Sequence, residues 1–267
     1  MKFEYQHFDT PARNYQGLSF DESECRMHLR GPVKDNLLDS EERQDYLAIL
    51  KTLSTDTGFE ANEQLLADIQ VLEEDNVYVQ NFRIGEAYAE VVLEEQFHCR
   101  FYWNENRDTR NPKGNKHGAD LVGFIEINEQ VLFLFGEVKT SSETNRRPPQ
   151  VMTNSDGIEN QLRDLNNNPE KRRILIGYLK NKARLLYDGH PFKNDLNAGI
   201  KTYYSGDNNY NLIGVLIRDV EPDERDVAGS YATLKEQVLE PISLKLLALY
   251  LPIPQFEWLS IINEERE

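Results

Sequence analysis

Three ionisable residues stand at positions that strand geometry can bring together: Asp120, Glu137 and Lys139. Glu137-Val138-Lys139 follows the apolar run Val131-Leu132-Phe133-Leu134-Phe135, which reads as a strand buried on both faces. Side chains alternate along a strand, so Glu137 and Lys139 emerge on one face with Cα atoms about 7 Å apart. A carboxylate and an ammonium at the end of so apolar a strand are costly unless they are used. Asp120 opens a second strand, Asp120 to Ile127, and Asn128-Glu129-Gln130 supplies a short turn between the two. Antiparallel pairing then sets Asp120 beside Glu137.

That set suits metal-assisted hydrolysis of a phosphodiester. Magnesium takes oxygen ligands and keeps several waters, so one or two carboxylates plus a substrate phosphate suffice. Asp120 and Glu137 are the expected ligands, with the backbone carbonyl of Val138 as a third; manganese is an alternative ion. Lys139 would orient or help deprotonate the attacking water. An acid-x-lysine pair alone is a common surface feature, and it is the buried run and the spacing of Asp120 that favour chemistry here. A helix from Gly85 to Glu95 adds Glu86, a carboxylate within the stripe Phe82, Ala89, Leu93, Phe97, followed by Glu90 one turn later. Glu86 is a candidate catalytic acid and Glu90 an accessory one.

The elements that must hold these residues follow in order. Phe97 to Trp103 reads as the first core strand, then come the two strands above. A helix spans Gly157 to Leu165, another runs from Arg173 to about Tyr187, and a buried strand spans Leu212 to Ile217. Helices from Asp39 to Leu53 and over 62–74 precede this core, with Tyr46, Ile49, Leu50 and Leu53 expected inward, and Leu65, Leu66, Ile69 and Leu72 as the second apolar face. A helix at Tyr231–Leu239 and a strand at Leu244–Leu251 follow it. The first 35 or so residues have no clear assignment. The expected organisation is an acidic, partly helical extension (1–80), a catalytic core (81–220) and a C-terminal segment packed on it (221–267).

This order of helix, three strands, helix and strand, with Asp120 and Glu137-x-Lys139, resembles the restriction-endonuclease-like PD-(D/E)XK nuclease superfamily over residues 81–218. The resemblance implies an α/β (α+β) fold with a short mixed sheet between helices and the metal at one sheet edge. Ala119 stands where the family name has proline, a residue that is not a metal ligand. Gln161 matches an accessory glutamine carried by several branches, although a surface glutamine on that helix fits equally well. More narrowly, HGADLVGF, FGEVKTSSE and LLALYLPIP are similar to the HamA family, the nuclease subunits of Hachiman anti-phage defence systems. That resemblance implies a magnesium-dependent deoxyribonuclease working with a helicase, HamB. The alternatives are a stand-alone restriction or repair endonuclease, or an idle nuclease-like interaction module.

The charge distribution bears on the partner. The chain has 267 residues and a formal net charge of −16, awkward for an enzyme of nucleic acid, whose affinity comes largely from cation–phosphate contacts. Residues 100–201, however, hold 17 Lys+Arg against 13 Asp+Glu, whereas the remainder holds 13 against 33. Arg110, Lys113, Lys116, Arg146 and Arg147 flank the acids and are the candidate DNA contacts. An active face of this kind on a repelling body predicts weak grip on free DNA and delivery by a partner. Cys25 and Cys99 form no CxxC and are expected reduced. No stretch has the length of a membrane span and no signal-peptide pattern opens the chain, so a cytoplasmic protein is expected.

Overall fold

The apolar run at 131–135 becomes the first half of the longest strand of a seven-stranded mixed sheet. The computed structural model describes residues 1–56, 60, 62–74, 77–102, 118–205 and 209–264, without the side chains of 41 and 42. Its strands are β1 (Lys2–Thr10), β2 (Arg13–Ser19), β3 (Cys99–Arg100), β4 (Leu121–Ile127), β5 (Gln130–Ser141), β6 (Asn211–Arg218) and β7 (Ser243–Tyr250). They lie in the order β1-β2-β7-β6-β5-β4-β3. The central strands β2, β7, β6 and β5 are mutually parallel, while β1, β4 and β3 run antiparallel to their neighbours.

Parallel strands need cover on both faces, and two helical layers provide it. The helices are α1 (Glu22–His28), α2 (Lys34–Leu38), α3 (Ser40–Thr55), α4 (Glu63–Glu73), α5 (Asn81–Phe97), α6 (Gln150–Thr153), α7 (Ile158–Asn167), α8 (Pro169–Ala183), α9 (Pro191–Tyr203), α10 (Ala228–Gln237) and α11 (Trp258–Ile262). On one face Ile84, Tyr88, Val91 and Val92 of α5 and Trp258 of α11 pack with Leu134, Val138, Ile213, Val215 and Leu247. On the other, Ile158 and Leu162 of α7 and Leu175 and Leu179 of α8 pack with Phe133, Phe135, Leu212 and Leu246. Each such buried side chain contributes about 1.5–3 kcal/mol of transfer free energy.

The structure adjusts the expected elements in specific ways. The first 35 residues form the β1–β2 hairpin and α1, so strands from before residue 80 and after 221 complete the same sheet as the central ones. The sheet is therefore larger than the short one expected, and all three segments contribute to it. The β4–β5 turn is tight, with Asn128 and Glu129 both at positive φ (51° and 63°), the backbone that suits the twist of a two-residue hairpin. The strand expected at 97–103 is reduced to Cys99–Arg100, and Trp103 lies outside the described residues. Helix α8 begins four residues earlier than expected, at Pro169, because the Asn168 side chain accepts from the Lys171 N–H. Among the described side chains of α3 only Leu50 is buried; Tyr46, Ile49 and Leu53 are exposed, as is Leu66 of α4. These two helices lie against each other, joined by Arg43 Nε donating to Leu72 O (2.9 Å) and by Lys51–Glu73 (2.7 Å).

Candidate active site

Antiparallel pairing of β4 with β5 carries Leu121 opposite Gly136, which leaves Asp120 at the mouth of the strand beside Glu137. Gly118 makes this entry possible. Its φ is +151°, and a Cβ there would lie 2.6 Å from Leu175 Cδ2, so a side chain would be both strained and blocked. Asp120 is half-buried, and its Oδ2 accepts from the Val138 backbone N–H at 3.0 Å. This hydrogen bond ties the aspartate to the strand segment that carries the glutamate and the lysine.

Glu137 is buried, with 6% of its surface exposed, and its carboxylate is hydrogen-bonded to the Lys139 ammonium. Burial, together with the adjacent Asp120 charge, pushes its carboxyl up to about 7, against the opposing pull of Lys139. A protonated Glu137 also hydrogen-bonds Asp120, so the two carboxyl groups are in contact. Burial works to lower the Lys139 ammonium, but the charges of Glu137, Asp120 and Glu86 together hold it above the ordinary lysine value. Lys139 is therefore a cation in this arrangement. It is suited to donating a hydrogen bond to water or phosphate, and deprotonation would first require the neighbouring acids to be neutralised.

The donor set can be tested against a divalent ion. Among the described residues no group of three or more His, Cys, Asp and Glu has metal-holding geometry. Two touching carboxyls, one of which retains a proton near neutrality, do fit one hard cation completed by water and substrate phosphate. A cation would take the place of that shared proton. Asp120 and Glu137 would hold it. The backbone N–H of Val138 already serves Asp120, and its side chain is turned into the core with Val215 and Ile217.

The remaining expected residues divide clearly. Glu86 is largely buried and paired with Arg83, whose Nη1 donates to its Oε2 at 3.1 Å; its charge reaches Lys139. Glu90 lies half-buried one turn further along α5. Gln161 is half-buried on α7, and no hydrogen bond joins its side chain to the acids among the described residues. Its helix does approach the site closely. Gly214 is the register partner of Glu137, and a Cβ there would lie 2.4 Å from Ile158 Cγ2.

Of the candidate DNA contacts, Arg110, Lys113 and Lys116 lie outside the described residues. Arg146 is exposed, with Nη2 donating to Thr153 Oγ1 at 3.3 Å. Arg147 is instead engaged with the fold: its Nη1 donates to Asp226 Oδ2 at 2.5 Å and its Nη2 to Glu221 O at 3.0 Å. Arg172 is likewise internal, its guanidinium 4.5 Å from the Tyr210 ring centroid and bonded to Tyr203 Oη at 3.0 Å.

Two arginines escape sequence reasoning. Arg83 is one; its signal is the i,i+3 spacing to Glu86. Arg218 is the other, a charge closing an apolar strand much as Lys139 does. It is fully buried, and its Nη1 donates to Ser141 O (3.1 Å) and Oγ (3.0 Å), its Nη2 to Glu143 O (2.5 Å). Asp226 Oδ2, 3.4 Å from Arg218 Nε, completes this clamp on the chain leaving β5. No protein-family model matches the chain, and no curated protein sequence matches it.

Proposed function

We propose that the protein is a magnesium-dependent deoxyribonuclease of PD-(D/E)XK type that hydrolyses DNA phosphodiester bonds. The single observation carrying this reading is the contact of Asp120 with Glu137 beside Lys139 at the margin of an otherwise apolar strand. The sequence of α5, β3, β4, β5, α7 and β6, with β6 parallel to β5, supports it as well.

Bound by Asp120 and Glu137, magnesium would supply charge neutralisation to the phosphate and acidify a water. The chain's own residues do the rest. Asp120 is oriented toward the site by the Val138 N–H, from which its Oδ2 accepts at 3.0 Å. Glu137 is held in low-dielectric surroundings where its charge acts strongly. Lys139 donates to the attacking water or a non-bridging oxygen and supplies positive charge as the phosphorane-like transition state gains negative charge.

The charge split and the resemblance to Hachiman nuclease subunits support an effector that receives DNA from an ATP-driven helicase partner. The test is a cleavage assay with magnesium, with and without the protein encoded by the neighbouring gene. Cleavage that survives excess chelator contradicts the proposal.

A further inference from the structure

The first turn of α5 carries a cation that this mechanism leaves unused. The Arg83–Glu86 pair is nearly covered, with side-chain exposures of 11% and 12%. A guanidinium has five N–H donors in a planar fork, and one of those of Arg83, on Nη1, goes to Glu86 Oε2. The Arg83 side chain keeps that 11% of its surface open to solvent. The Phe82 ring centroid, 5.3 Å from Arg83 Cζ, braces the group from its own helix.

The position of this turn is set by the strand it touches. A Cβ on Gly85 would lie 3.2 Å from Thr140 Oγ1, and Thr140 directly follows Lys139. The start of α5 therefore abuts the end of β5 that carries the catalytic candidates. The Gln80 N-cap makes no side-chain hydrogen bond to this 17-residue helix. Its positive end and Arg83 thus stand at the same end of β5, on the sheet face opposite the one Glu137 and Lys139 leave. The Glu86 charge reaches around to Lys139, and both the helix end and Arg83 favour an anion at that margin.

We propose that Arg83 binds a nucleic-acid phosphate next to the scissile one, and that Glu86 is a positioning residue for this guanidinium rather than a ligand of the ion. The inference rests on the nuclease reading above and deepens it by naming how that site grips its substrate. A preorganised arginine fork matches phosphate oxygens in a way that a lysine point charge does not.

The experiment uses the full chain, wild type and the variants Arg83→Ala, Arg83→Lys and Glu86→Gln, each checked for unchanged circular dichroism. Affinity for a fluorescent duplex oligonucleotide is measured against salt with calcium replacing magnesium, and cleavage is measured against magnesium concentration. Arg83→Ala is expected to weaken DNA binding about 10- to 100-fold, as loss of a charged hydrogen-bonded contact does. It should also reduce the slope of log affinity against log salt by about 0.9, one phosphate contact. Arg83→Lys should restore the slope but not the full affinity, and Glu86→Gln should leave the magnesium half-saturation unchanged. Wild-type affinity and slope in Arg83→Ala overturn the proposal, as does a severalfold higher magnesium half-saturation in Glu86→Gln. Arg83-dependent binding without any metal-dependent cleavage would sink the nuclease reading and leave the phosphate contact standing.

Discussion

Replacing Glu137 by glutamine should stabilise the metal-free protein, and the gain should depend on pH. The carboxyl is raised from its ordinary 4.5 to about 7 by burial and by Asp120. Between those two values the folded chain holds a proton that the unfolded chain has released. Stability therefore falls as pH rises through this window and levels off above it. Each unit is worth about 1.4 kcal/mol, so the full effect is on the order of 3 kcal/mol. Glutamine matches the protonated acid in shape and carries no charge at any pH. The two proteins should melt together near about pH 4.5, and the variant should lead by about 6 °C or more near about pH 8, taking ~2 °C per kcal/mol for a chain of this size. The assay is thermal unfolding of both proteins across this range, with and without magnesium. Magnesium should narrow the gap near about pH 8 by stabilising the wild type, because a ligand that binds only the folded state adds to stability. Parallel melting curves at all pH values, or a glutamine variant that is the less stable at high pH, would refute this account of the site.

Three further outcomes are expected. Lys139→Ala should abolish DNA cleavage while leaving the far-ultraviolet spectrum and cooperative unfolding intact, which activity assays and circular dichroism check together. Asp226→Ala should destabilise the fold by about 3–5 kcal/mol, because it removes the carboxylate that faces the fully buried Arg218 guanidinium; denaturant titration measures it, and a change below about 1 kcal/mol counts against the clamp. Gly214→Val should cost about 1–3 kcal/mol, since its side chain would collide with Ile158 and Leu246; the same titration tests it.

The catalytic candidates were legible because charges interrupt an apolar strand, and a period of two assigns each side chain its face. The hairpin that joins Asp120 to Glu137 could be read from the short turn at 128–130. The N-terminal strands could not. β2 is buried but polar, and Arg13, for example, donates to Val238 O at 2.6 Å and Ile242 O at 2.8 Å, acceptors more than 220 positions away. Locally, such a segment has no apolar signature. Arg147 looks like a surface cation for the same reason, since Asp226 meets it only after folding. In α3 the helical period was readable, yet period alone does not say whether a stripe is covered, and Tyr46 and Ile49 are not. Helix α9 carried its signal in Pro191 at the first turn, where His190 Nδ1 accepts from the Phe192 N–H at 3.2 Å.

The most direct test of the central claim is cleavage of DNA by wild type and Glu137→Gln side by side, with magnesium and with excess chelator. The account predicts cut DNA only for the wild type with the ion present. Equal cleavage by the glutamine variant, or cleavage by either protein in chelator, would contradict it.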